Sequence, residues 1–294
     1  MRLNELYGDD KFGLSIEIFP PKSSDGDAAL RQTLAELAEL KPAFVSCTYG
    51  AAGSTRDRTL DWCQTIQRQF GLTSTAHFTC VGSSRTDLCN WLTQAHESGI
   101  RNIMALRGDA PADATDAAFV ADGLRYANEL VALIREQFDD MGIGVAGYPE
   151  KHPEASTFRE DLDFLKRKVD TGADAVFTQL FFDNSAFFRF RDECDRVGIT
   201  VPVIPGIMPI TGYDRIKRIT ELCGASIPDS LRDRLESSRD DSSAQFEIGV
   251  DFAIEQCLGL MREGIPGLHL YVLNRALACQ RLLTALDWDP VAAG

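Results

Sequence analysis

The stretch Leu14-Ser15-Ile16-Glu17-Ile18-Phe19-Pro20-Pro21-Lys22 holds a carboxylate where a buried strand has no ordinary use for one. Leu14, Ile16, Ile18 and Phe19 suit a strand, and Pro20-Pro21 end it, because proline has no N–H to give a sheet ladder. Glu17 loses water inside that run. Its charge must be paired, its pKa must rise, or it must face a cavity. A structural ion pair and a site carboxylate both meet that demand. Other chemically capable residues carry the same ambiguity. His77, between Ala76 and Phe78, reads as a hydrogen-bonded core histidine or as a site residue at a strand end. Arg107 and Asp109 read as one ion pair or as two site residues, and Tyr148 as packing or contact. Gln179 follows Ala175-Val176-Phe177, so its amide must find partners, and a ring with donors and acceptors would supply them. Lys168 ends the basic run Lys166-Arg167-Lys168, which by itself is the pattern of a solvated helix face. Asp161 lies two helical turns earlier on roughly the same face.

The elements that position these residues alternate regularly. Strands begin near residues 14, 43, 74, 102, 142, 173, 201 and 267. Between them, helical spacing predicts helices over 27–40, 57–70, 86–98, up to about 138, 157–171, 185–197 and 214–222. A short extra helix falls within 228–243, then a long one over 246–262 and a last one over 275–286. Thr157-Phe158-Arg159-Glu160 has the capping-box form that starts a helix. Eight such β–α units imply parallel pairing through right-handed crossovers, and a single α/β (β/α)8 barrel is the expected architecture. An open doubly wound sheet is the rival. It is usually announced by G-x-G-x-x-G after the first strand, where this chain has Pro-Pro-Lys. In a barrel the strands' C-terminal ends form the site. Here those ends carry Glu17, Thr48-Tyr49, His77 with Thr79, Arg107-Gly108-Asp109, Tyr148 with His152, Thr178-Gln179, Pro205-Gly206, and Tyr271 with Asn274-Arg275.

The chain has 294 residues, 44% hydrophobic and 25% charged, and a formal net charge of −14. That composition is ordinary for a globular protein, and its charge repels nucleic acid and anionic lipid, so neither is an expected partner. No apolar run approaches a membrane span, and the polar, acidic Met1–Asp10 does not resemble a signal peptide. The eight cysteines form no C-x-x-C pair and the four histidines no metal-ligand spacing. Free thiols, a reducing cytoplasm and no metal are expected. One domain is expected, with no linker or repeat.

Taken in order, many short stretches resemble the bacterial methylenetetrahydrofolate reductases. They are Glu17-Ile18-Phe19-Pro20-Pro21, Thr48-Tyr49-Gly50-Ala51, Asp57-Arg58-Thr59, His77-Phe78-Thr79-Cys80, Ala105-Leu106-Arg107-Gly108-Asp109, Tyr148-Pro149-Glu150 with His152-Pro153-Glu154, Leu165 to Asp170, Thr178-Gln179 with Phe181-Phe182-Asp183, Ile204-Pro205-Gly206-Ile207 and Leu273-Asn274-Arg275-Ala276. The resemblance covers essentially the whole chain. It implies a (β/α)8 flavoprotein that passes a hydride from NADH or NADPH to FAD, and then to 5,10-methylenetetrahydrofolate, in ping-pong fashion. It implies Glu17 as general acid toward the folate, and the apolar flanks give that glutamate a reason to keep its proton near neutral pH. Asp109 is implied near both flavin and pterin, and Gln179, Arg215 and Arg275 on the folate. For FAD the resemblance points to Thr48, His77, Arg107, Gly108, Asp109, Tyr126, Ala127, Tyr148, His152, Asp161 and Lys168. Ile219 stands where some relatives have a stacking aromatic, with Tyr213 or Phe181 as substitutes, and the Ala110–Val120 loop is longer than in close relatives. A homo-oligomer is implied, and the C-terminal regulatory domain of eukaryotic members is expected to be absent. Another flavin-dependent barrel, such as a proline dehydrogenase-like enzyme, would want an arginine-rich carboxylate clamp on the last helix, where only Arg275 and Arg281 stand. A cofactor-free lyase would want a Schiff-base lysine or metal cluster at the strand ends. A non-catalytic subunit should have lost Glu17, Asp109 or Gln179, and all three are present.

Overall fold

Parallel strands close around a filled interior. The computed structural model describes residues 2–7, 11–49, 56–108, 120 and 122–289. The strands are β1 (Gly13–Ile18), β2 (Phe44–Cys47), β3 (Ser74–Thr79), β4 (Asn102–Leu106), β5 (Gly142–Gly147), β6 (Ala175–Thr178), β7 (Val203–Ile204), β8 (Gly206–Ile207) and β9 (Gly267–Tyr271). All pair in parallel, β1 with β2 and β9, then stepwise from β2 to β7, and β8 with β9. β7 and β8 are one expected strand split at Pro205. Proline cannot donate to the ladder, yet its carbonyl accepts from His269 N at 3.0 Å and so joins the two edges. The (β/α)8 barrel is thereby closed.

Helices wrap the outside: α2 (Ser24–Ala38), α3 (Arg56–Phe70), α4 (Arg85–Glu97), α5 (Ala127–Gln137), α6 (Phe158–Asp170), α7 (Asn184–Arg196), α8 (Tyr213–Cys223), α9 (Asp229–Ser237), α10 (Ser242–Arg262) and α11 (Ala276–Ala285). The long helix begins four residues before its expected start, because the Asp241 side chain accepts from Ser243 N and Ala244 N and caps it there. Alternation along each strand sends Leu14, Ile16 and Ile18 outward onto these helices, where they join one continuous core. The other parity faces inward: Ser15 and Glu17 of β1 stand opposite His269 and Tyr271 of β9.

The N-terminal segment is more than the polar lead-in that the sequence suggests. Leu3, Leu6 and Tyr7, spaced i, i+3, i+4 around the one-turn α1 (Leu3–Leu6), are buried with Phe44, Met104, Phe177 and Ile204. They plug the barrel's N-terminal end. Leu3 N donates to Asn102 Oδ1 at 3.0 Å, and Tyr7 stacks edge-on to Phe44 and Phe177. Gly13 and Gly267 make room for that ring, since a Cβ on either would lie 2.4 and 2.8 Å from Tyr7 Cε1. Leu3→Ala is therefore expected to cost about 2–5 kcal/mol in denaturant unfolding, an unusual penalty for a third residue.

Candidate active site

Glu17 sits where the barrel interior opens upward. Its side chain is 18% exposed, and its Oε2 lies 3.1 Å from His77 Nε2 and 3.4 Å from His269 Nε2. The His269 contact is a hydrogen bond, whereas the nearer His77 nitrogen is out of line for one, so its pull is chiefly that of charge. Burial opposes the carboxylate's charge, but attraction to His77 and the bond to His269 together outweigh it and hold Glu17 at about 2. This corrects the expectation that Glu17 keeps its proton near neutral pH. The apolar flanks were read correctly, yet two imidazoles from other strands reverse their effect. Below Glu17, His269 Nδ1 is 2.8 Å from Ser15 Oγ, which accepts from Tyr7 OH at 3.0 Å. Ser15 Oγ also donates to Leu268 O at 3.3 Å, and the contacts Tyr7–Ser15–His269–Glu17 form a continuous chain from the plug to the mouth. His269 was visible in the sequence only by parity, in Gly267-Leu268-His269-Leu270-Tyr271, where it alternates with buried leucines as Glu17 does with isoleucines.

On the β4–β5 side, a second set of residues gathers. Lys168 of α6 sends its ammonium to Ala146 O at 2.6 Å, and burial of that end pushes the amine down to about 8 against the pull of Asp161. The solvated lysine suggested by its basic run is thus not what the fold makes. Asp161 accepts from His152 N at 2.9 Å, and burial raises its carboxyl. The Tyr148 and His152 rings meet edge-on at 4.6 Å, and burial lowers the His152 imidazole. Arg107 pairs with Glu154, through bonds of 2.5 and 2.6 Å. Asp109, named for both cofactor and substrate, lies outside the described residues, as do Gly50, Ala51 and most of the 110–120 loop. Gly108 takes φ +85°, and a Cβ there would meet Thr79 Cβ at 2.9 Å. Thr48 receives a bond from Thr59 Oγ1 to its carbonyl at 2.9 Å. Tyr126, 56% exposed, stands at the N-cap of α5, with Ala127 the first helical residue.

The third side carries Gln179, Arg215 and Arg275. Gln179 Oε1 accepts from Leu180 N at 2.9 Å, which leaves its amide nitrogen for another partner. Thr178 and Tyr271 are tied together, Tyr271 OH donating to Thr178 O at 2.7 Å. Arg275 is exposed at the N-cap of α11, and exposed Arg215 edges a narrow cleft with Met208, Ile219 and Leu273. Neither proposed substitute for a stacking aromatic is available. Phe181 is 1% exposed and stacks on Phe187, while Tyr213 is 4% exposed and donates its hydroxyl to Glu236. Elsewhere, a cavity of about 640 Å³ lies among Glu150, Phe182, Arg189, Pro228 and Phe252, and shares no residue with the Glu17 surroundings.

A family model described as methylenetetrahydrofolate reductase matches residues 2–287. The 5,10-methylenetetrahydrofolate reductase of Pectobacterium carotovorum subsp. carotovorum is 38% identical over 274 residues, covering 93% of this chain and 89% of that protein. The enzyme of the same name from Escherichia coli (strain K12) is 38% identical over 274 residues, covering 93% and 90%. Methylenetetrahydrofolate reductase (NADH) 1 of Zea mays is 37% identical over 283 residues, 93% of this chain but 48% of the plant protein. Among solved structures, a Clostridium thermocellum protein that binds two copies of 5-methyl-5,6,7,8-tetrahydrofolic acid has a TM-score of 0.65 at 14% identity, covering 96% of this chain and 97% of that one. At that identity the likeness is one of fold.

Proposed function

Because this chain belongs to the methylenetetrahydrofolate reductase family, we propose that it reduces 5,10-methylenetetrahydrofolate to 5-methyltetrahydrofolate with electrons from NADH or NADPH. In this reading FAD is the cofactor, the cycle is ping-pong, and the product serves methionine synthesis and one-carbon metabolism. The observation that carries the reading is a carboxylate at the barrel mouth, flanked by two imidazoles, where a proton can be held and moved.

The residues present fit an anionic cofactor. Lys168 is a buried ammonium driven toward neutrality, and an arriving anion would restore the charge that burial opposes. Arg107, His152 and Lys168 would hold the cofactor's phosphates, with Thr48, His77, Gly108, Asp109, Tyr126, Ala127, Tyr148 and Asp161 completing its site. When bound, FAD supplies two-electron transfer between the nicotinamide and the folate.

The protein's own part is placement and the proton. Arg275 and Arg215 meet the folate's carboxylates, Gln179 hydrogen-bonds the pterin, and Asp109 supports the cationic iminium. Reduction of the methylene bridge needs one proton on the departing bridge nitrogen and two electrons with a hydrogen at the carbon. Glu17 handles that proton. A pterin seated over the mouth removes the remaining exposure of Glu17 and strengthens the opposing effect of burial. The proton then passes to the carboxylate from an imidazole partner and on to the substrate. No helix among the described residues is long and apolar enough to cross a membrane, and all eight cysteines are free thiols, which supports a reducing, cytoplasmic setting. A homo-oligomer of single-barrel protomers completes the reading.

Purified protein should yield FAD on denaturation and oxidise NADH or NADPH only when 5,10-methylenetetrahydrofolate is present, forming 5-methyltetrahydrofolate. Nicotinamide oxidation that ignores the folate, or a different bound flavin, would contradict it.

A further inference from the structure

Two consecutive residues that are not glycine, Leu273 (φ 49°) and Asn274 (φ 56°), lie in the left-handed region between β9 and α11. Asparagine tolerates that conformation, but a leucine does so only when its surroundings hold it there. The Asn274 side chain is what grips the far side. Phe19 N donates to Asn274 Oδ1 at 3.0 Å, and Asn274 Nδ2 donates to Phe19 O at 2.7 Å. One side-chain amide thus satisfies both backbone groups of Phe19, as a neighbouring strand would.

The place where this happens matters. The β1–β9 register ends at Glu17 opposite Tyr271, and the next rung, Val272 N to Glu17 O, is stretched to 3.5 Å. Beyond Glu17 the ladder is carried on by the Asn274 side chain. On its other side Asn274 precedes Arg275, whose N–H donates to Val272 O at 2.9 Å. The Asn274 carbonyl accepts from Thr33 Oγ1 of α2 at 3.2 Å, which anchors the turn to the helical layer. The ring of Phe19, 42% exposed, rides on the segment held this way.

We propose that Asn274 is a positioning residue that sets Glu17 and Arg275 relative to one another, so that the proton-handling end and the anion-binding end of the folate site stay in register. It touches neither substrate nor proton. This rests on the roles given above to Glu17 and Arg275.

The test compares holoenzymes of the wild type, Asn274→Gly and Asn274→Asp. Glycine keeps the left-handed backbone and deletes both bonds. Aspartate keeps the shape and the acceptor but loses the Nδ2 donor. For Asn274→Gly, the KM for folate should rise and kcat fall, each about tenfold, while reduction of the bound flavin by the nicotinamide stays within twofold. Asn274→Asp should fall between wild type and glycine. Amide exchange should quicken together in peptides covering 13–19 and 271–277, although the substitution lies in one of them. Exchange that quickens only in 271–277, or equal loss in both half-reactions, overturns the proposal, as does a glycine variant indistinguishable from wild type. Should the wild type itself reduce no folate, the functional reading falls, and the paired exchange still decides whether Asn274 ties the two segments.

Discussion

Glu17→Gln is expected to slow folate reduction by about 10²–10⁴-fold, the range for losing a positioned general acid or base. Reduction of the bound flavin by the nicotinamide should change only a few-fold, because that step needs no proton from residue 17. Glutamine keeps the size and the hydrogen-bonding capacity toward His269, so equal losses in both half-reactions would mark Glu17 as structural. The variant also has a stability signature. Glu17 is held at about 2 in the folded protein against an ordinary 4.5, so its stabilisation is fully present above 4.5 and is lost as pH falls from there toward 2. That amounts to about 3 kcal/mol. The stability gap between wild type and Glu17→Gln, measured by urea unfolding, should therefore close across that acid window.

Lys168→Met is expected to weaken FAD binding to the apoprotein about 10²-fold, as loss of a buried charge partner to an anion would. In the wild type, affinity should fall as pH rises past about 8, where the apoprotein's buried amine gives up its proton. The methionine variant should lack that dependence. Stability moves the other way. A lysine lowered by burial is costly when charged, so wild-type apoprotein stability should rise between pH 8 and 10.5, and the methionine variant should match or exceed it at pH 7. A lysine serving only the fold would give the opposite result, with a less stable variant and unaltered affinity. The stability comparison uses thermal melts of the apoproteins, and the affinity comparison uses titration with FAD.

Much of the architecture was legible because its causes are local. Alternating polarity and helical spacing set the strands and helices, and Glu17 stood out because an apolar strand gives a charge no local partner. What decides the state of Glu17 is not local. His269 comes from 252 positions away and became a neighbour only when β9 closed on β1. Asn274 reaches Phe19 across 255 positions for the same reason. Lys168 looked solvated because its neighbours Lys166 and Arg167 are basic, and only about half a helical turn separates an outward side chain from one aimed at Ala146 O. The plug by Leu3, Leu6 and Tyr7 was hidden by its brevity, since one turn of helix gives too little periodicity to read. Phe181 and Tyr213 looked free to stack because aromatic type alone says nothing of burial.

The central claim is that one cofactor passes electrons from nicotinamide to folate in alternation. Its most direct test is anaerobic and uses the two half-reactions separately. NADH or NADPH alone should bleach the protein's flavin absorbance, and 5,10-methylenetetrahydrofolate added after removal of excess nicotinamide should restore it while yielding one equivalent of 5-methyltetrahydrofolate. A reduced protein that the folate cannot reoxidise would contradict the account.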